Sequence, residues 1–208
     1  MTDSPLIILI LFVGAAYLFK LWRDDMLAWK AGKPHEKGIP GATSAPGAAL
    51  WIGAIGALAL VGLETGGEIA LGVSSEQTDI TVIFLLAMIG AGVLEEVLFR
   101  GYFVIQNKGR NILILSIVGF SLLFALAHYQ YYTEIPEEGT WRDLSFVIDP
   151  KSGWSLLLLF LNSLWFYWMR FSKWNPHHSL LPCFVAHIAS NMGVFAVKLL
   201  QGHVHGLY

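Results

Sequence analysis

Polar and apolar positions in this 208-residue chain fall into long blocks rather than short alternations. Formal charges are absent from 4–19, 38–63, 80–94, 111–133, 152–169 and 174–197. A helix needs about 20 mostly apolar residues to cross a bilayer, within a range of about 17–25. The six runs, separated by polar stretches, predict transmembrane helices at 5–22, 46–63, 80–107, 111–130, 153–171 and 179–200. A membrane barrel would show alternating segments of about ten residues instead. The expected fold class is therefore all-α, a polytopic membrane helix bundle.

Composition narrows the function classes. The chain is 55% hydrophobic and 13% charged, against about 25% charged in soluble domains. A net charge of -2 argues against a basic nucleic-acid binder, and the apolar content argues against disorder. The single cysteine excludes an intrachain disulfide framework and a Cys-rich metal cluster. No internal repeat is visible. The first apolar run lacks a basic n-region and a small-residue cleavage site, so it reads as a span rather than a cleaved signal.

Loop charges predict the orientation. Lys20, Arg23, Lys30, Lys33, Lys37, Lys108, Arg110, Arg170 and Lys173 fall on one side. The other side holds Arg142 and Lys151 among Glu64, Glu68, Glu76, Asp79, Glu134, Glu137 and Glu138. The positive-inside rule places the basic side in the cytoplasm and both termini outside. The Gly- and Pro-rich stretch 31–49 reads as a flexible linker. Trp141 and Trp154 are expected to anchor the 133–152 loop at the interface. The chain reads as one membrane domain, with two N-terminal helices and a cytoplasmic linker over 1–79 and the chemistry-bearing bundle over 80–208.

Polar residues inside apolar helices are the informative ones, since a charge at the bilayer centre costs about 2.5–3.5 kcal/mol on insertion scales. The third run holds Glu95, Glu96 and Arg100. Glu96 and Arg100 are four apart and share a helix face. Glu95 lies about 100° round the helix and lacks that partner. The fourth run ends Phe124-Ala-Leu-Ala-His128, and the sixth holds His187 and Asn191, again four apart. At 1.5 Å per residue, Glu95 and His128 lie about 21 and 28 Å from the turn near Gly109. They reach one depth only if the helices tilt differently or break. Small residues Gly90 and Gly92 permit close helix approach beside them.

These motifs resemble a known family. Glu95-Glu96-Val-Leu-Phe-Arg100 looks like the Glu-Glu-x-x-x-Arg motif of the CPBP family (CAAX proteases and bacteriocin-processing enzymes, also called Abi). Phe124-x-x-x-His128 is similar to its second motif and His187-x-x-x-Asn191 to its third, in the same order and on separate helices. The resemblance covers about 80–200 and leaves the first two helices outside. It implies a glutamic-type intramembrane endopeptidase. Under it Glu95 activates water as general base, with His128 assisting. His187 and Asn191 stabilise the oxyanion. Glu96 and Arg100 form a structural or orienting pair, supported by Phe124. Such chemistry needs a base within reach of water and donors aimed at the developing oxyanion. Family members differ in substrate: some remove a tripeptide after a prenylated cysteine, others process small peptides or sorting anchors, or confer immunity. The implied partners are the bilayer and a membrane-anchored or lipidated protein or peptide, cut near its C-terminus. No nucleic acid is implied, and the sequence sets no oligomeric state. Short loops and six helices favour a bacterial inner-membrane member.

Other readings stand beside this one. Glu95, Glu96, His128 and His187 are possible zinc ligands. No His-Glu-x-x-His spacing occurs, however, so no cofactor is expected. Cys183, four residues before His187, is a possible nucleophile, although a small buried side chain fits it better. A transporter or proton relay also gathers intramembrane Glu and His but predicts inverted repeats, and an immunity role in the same fold is open. His177, His178, His203, His205, Glu64 and Glu68 read as solvated.

Overall fold

The computed structural model describes residues 4–134 and 140–208, and Trp141 by its backbone alone. Its helices are α1 (Pro5–Lys30), α2 (Gly47–Leu71), α3 (Phe84–Glu95), α4 (Arg110–Ala127), α5 (Pro150–Phe171) and α6 (Leu181–Gln201). A π-helical segment, Glu96–Phe103, continues α3. The only strands among the described residues are β1 (Thr133–Glu134) and β2 (Ser145–Phe146), paired antiparallel. The architecture is an all-α membrane helix bundle.

Local chemistry sets the helix ends. Pro5, Pro150 and Pro182 lie in first turns, where a missing N–H removes no helical bond. The Asp149 carboxylate caps α5 by accepting from the Ser152 N–H at 2.7 Å. Gly72 and Gly202 close α2 and α6 with φ of 74° and 82°, a left-handed conformation that glycine adopts without a Cβ clash.

α1, α2, α4 and α6 are each long and apolar enough to cross a membrane. α3 alone is 12 residues, too short before its π continuation. α5 has the length, but Ser152, Ser155, Asn162, Ser163 and Arg170 interrupt it, all buried toward the bundle. The outer faces are apolar, as a lipid solvent requires, with Leu6, Trp51 and Leu115 each more than 60% exposed. α1 lies along α3, α2 packs against α5 and α6, and α4 packs against α5. Tight packing marks the α2–α5 seam at two points. A Cβ on Gly56 would fall 2.0 Å from the Trp165 ring, and one on Gly67 would fall 2.2 Å from Trp154.

Several expectations are corrected. The third helix is not one element over 80–107. Ile80 pairs with Val204 of the C-terminal tail, α3 starts at Phe84, and the chain is extended from Val104. α2 runs two turns beyond residue 63, which carries Glu64 and Glu68 into the helix. Glu68 is 4% exposed rather than solvated, because Lys151 and Gln77 satisfy its carboxylate. The 31–49 stretch is folded back rather than free. Trp22 donates to the Gly41 carbonyl at 3.1 Å, Leu180 N–H to the same oxygen at 2.9 Å, and Ser179 Oγ to the Thr43 carbonyl at 2.6 Å. Arg170 is not a loop cation. It is 2% exposed and donates to the Arg100 carbonyl. His203 is half-buried and holds the exposed Asp79 at 2.9 Å, with the exposed His205 3.5 Å from the same oxygen. That contact keeps the Asp79 carboxyl below its usual value. The Trp154 indole, partly buried near the start of α5, donates to the Glu64 carbonyl at 3.0 Å, a contact compatible with the expected interfacial position. Glu137, Glu138 and the side chain of Trp141 lie outside the described residues.

Candidate active site

The site forms where α3 changes into the π-helical segment. Glu95 is the last residue of α3 and Glu96 the first of the π segment, so the two carboxylates leave the helix in different directions. π segments inside α-helices recur at functional sites. The break also ends the depth mismatch between Glu95 and His128. α4 stops at Ala127, with His128 at its C-cap, and both residues line the same cavity.

That cavity has a volume of about 340 Å³. Glu95, His128, His187 and Asn191 all face it. The remaining wall is largely apolar, drawn from Ile7, Ile8 and Leu11 of α1 and Phe84, Ala87 and Met88 of α3. Among the described residues, no serine, threonine or cysteine lines it.

Glu96 points away from the cavity into a buried network. Its Oε1 accepts from Arg100 Nη1 at 3.0 Å and lies 2.7 Å from His187 Nδ1. Arg100 Nη2 reaches the Ser163 carbonyl at 3.1 Å and Ser163 Oγ at 2.7 Å, and that hydroxyl bonds Ser121 Oγ at 3.0 Å. The Arg100 guanidinium stands 4.7 Å from the Phe124 ring centroid, 5.1 Å from Phe166 and 4.8 Å from Tyr167. Dry cation–π contacts of this kind are worth about 2 kcal/mol each. Both ionic partners are fully buried, so the pair depends on these contacts to offset desolvation.

The same network orients the imidazoles. A carboxylate only accepts, so Nδ1 of His187 carries a proton, facing Glu96. His187 Nε2 faces the Glu95 carboxylate, whose Oε2 lies 3.8 Å away, beyond direct hydrogen-bond reach. Phe166 stacks on His187 at 4.8 Å, and Phe124 meets its edge at 6.0 Å. His128 Nδ1 lies 2.8 Å from the Phe124 carbonyl. A carbonyl also only accepts, so this contact puts the proton on Nδ1 and a lone pair on Nε2. Phe124 therefore touches Arg100, His128 and His187 at once, which explains a large aromatic at that position. Asn191 spends one amide N–H on the Met88 carbonyl at 2.7 Å and keeps the second.

The spacing rules found Glu96–Arg100 but not the Glu96–His187 link, which joins two helices. Ser163 is a polar interruption of an apolar run in the sequence, whereas Arg170 reads there as a loop cation. Gln130 and Tyr131, which also wall the cavity, carried no signal. Cys183 lies outside the cavity, fully buried, with its thiol against the Phe166 carbonyl at 3.3 Å. Among the described residues, no group of three or more His, Cys, Asp or Glu is disposed to hold a metal ion.

Gly92 holds α3 against α6 beside His187. A Cβ there would lie 2.9 Å from Ile188 Cγ1 and 3.4 Å from Ile188 N. Gly92→Ala is expected to cost about 1–3 kcal/mol by overpacking and to lower kcat roughly tenfold by displacing His187. Thermal unfolding in detergent and turnover per folded molecule check this, and wild-type values for both would contradict the packing role.

Comparison with known families adds one finding. Residues 77–193, more than half of the chain, match the family described as type II CAAX prenyl endopeptidase Rce1-like. No curated protein and no solved structure matches the chain. The matched stretch begins just before α3 and runs past Asn191, so it spans every polar residue of the cavity and of the Glu96–Arg100 network. This chain belongs to the Rce1-like family of type II CAAX proteases.

Proposed function

We propose that the protein is an intramembrane endopeptidase. It hydrolyses a peptide bond near the C-terminus of a membrane-anchored or lipidated protein or peptide, with water as the nucleophile. The observation that carries this reading is the cavity wall: a carboxylate, two imidazoles and a carboxamide converge there, and among the described residues no serine, threonine or cysteine joins them. Glu95 takes the proton from water as it attacks the scissile carbonyl, and His128 Nε2 shares in holding that water. The free N–H of Asn191 donates to the developing oxyanion, and His187 donates beside it from Nε2 in the doubly protonated form of its ring. Glu96, held by Arg100, positions His187. The proton taken by Glu95 passes to the leaving amine. The reaction draws on side chains and water, with no metal or other cofactor. The site lies in the 80–208 part of the chain, with α1 as an added wall, in a bacterial inner membrane with both termini outside.

Two substitutions separate this reading from a thiol mechanism. His128→Ala is expected to lower kcat by about 10²–10³-fold, in the range of general-base contributions. Cys183→Ala should keep turnover within a few-fold of wild type, measured on a lipidated C-terminal peptide in mixed micelles. Loss of turnover in Cys183→Ala with retention in His128→Ala would overturn it.

A further inference from the structure

Hydrolysis consumes one water per turnover, and just over half of the residues lining the catalytic cavity are apolar, with Ile7 and Leu11 of α1 exposed on the outer face of the bundle. A second cavity, of about 220 Å³, adjoins it. Gln130 and Tyr131 line both, so one short segment after α4 forms the partition. The second cavity is lined quite differently. Glu64 and Glu68 come from the end of α2, Ser152 and Ser155 from the start of α5, and Lys198 from the end of α6. All lie at one end of the bundle, beside loops 76–78 and 130–134. Its volume is well above the roughly 30 Å³ that a water takes in the liquid.

The polar walls are held in place. Lys198 Nζ donates to the Thr78 carbonyl at 2.6 Å and to Gln77 Oε1 at 3.2 Å, and Gln77 Nε2 donates to Glu68 Oε2 at 2.7 Å. Lys151 pairs with the other Glu68 oxygen. These bonds tie α2, α5, α6 and the α2–α3 loop into a polar frame. A chamber framed this way welcomes water and penalises an apolar segment, which would desolvate the charges.

From this juxtaposition we infer that the polar chamber is the water inlet of the catalytic cavity, with Gln130 and Tyr131 as its inner gate. The inference rests on the hydrolytic reading of the Glu95 cavity. Substrate and water then arrive by different routes, the substrate from the lipid side and the water from the end of the bundle. Ser155, Thr133 and Lys198 act on water supply alone, since they line the chamber and not the catalytic cavity.

Two arms test this on the full chain in proteoliposomes. In the first, Thr133→Cys is purified active and then capped with a bulky aromatic methanethiosulfonate. Cys183 is fully buried, which directs the reagent to the introduced thiol. Capping should lower kcat at least fivefold with KM within twofold, and dithiothreitol should restore it. In the second, a nitroxide on Ala91→Cys, inside the catalytic cavity, reports contact with D₂O by electron spin echo modulation. Adding Ser155→Phe, which fills the chamber, should cut that contact at least threefold. Unchanged kcat after verified capping, or unchanged D₂O contact with Ser155→Phe, overturns the inlet. Should Ser155→Phe fail to fold, the reversible capping arm decides alone. The D₂O arm does not depend on hydrolysis. If Glu95→Gln were fully active while D₂O contact fell as expected, the hydrolytic reading would fail and the inlet would stand.

Discussion

Glu95→Gln is expected to lower kcat by about 10²–10⁴-fold, the range a positioned general base supplies. The substitution keeps size and shape and removes only the ability to take a proton. Glu95 is partly open to the cavity and makes no contact inside hydrogen-bond distance with His187, so the fold loses little. KM should stay within a few-fold, because the carboxylate acts on water rather than on the substrate's membrane segment. Turnover of a lipidated peptide, read against the unfolding midpoint of the same preparation, checks both parts. Glu96→Gln is the matched control. It weakens the grip on Arg100 and His187, so it should lower stability and kcat together. A Glu95→Gln enzyme with near wild-type kcat would remove Glu95 from the reaction.

Arg100→Met should destabilise the protein by about 3–5 kcal/mol, the cost of leaving one member of a buried ion pair uncompensated. Methionine fills much of the same volume but donates nothing. Glu96 is fully buried, its Oε2 has no hydrogen-bond partner, and only His187 would remain on Oε1. The hydroxyl and carbonyl of Ser163 would lose their donor as well. Adding Glu96→Leu should recover part of the stability, because a buried pair replaced by apolar groups is often near neutral. It should not recover activity, since His187 then loses its positioning partner. Denaturant unfolding in mild detergent measures each step. A cost below about 1 kcal/mol for Arg100→Met, with no gain from the second substitution, would show that the network does not hold the site.

The legible part of the molecule was that in which the bilayer dictates the pattern. Uncharged runs can only be helices in lipid, and five of the six became single α-helices while the third divided into α3 and its π continuation. The motif residues were legible for the same reason, because Glu95, His128 and His187 are costly where they lie. Contacts between helices were not legible. Spacing shows which residues share a face of one helix, not which helix that face meets, so the His187–Glu96 bond needed coordinates. Charges at helix ends misled the reading in the opposite direction. Glu68 and Arg170 look solvated in a list of loop charges, yet each is buried because a partner from another helix meets it. The π continuation of α3 also left no mark in the sequence, since Val97, Leu98 and Phe99 suit an ordinary apolar helix equally well.

Mass spectrometry of the products most directly tests whether Glu95 and His128 activate water inside the membrane. Wild type, Glu95→Gln and His128→Ala would each be reconstituted with a panel of membrane-anchored and lipidated peptides. Wild type should release one defined C-terminal fragment from at least one of them, and both variants should leave that substrate intact over the same interval. Equal cutting at the same bond by all three proteins would contradict the account.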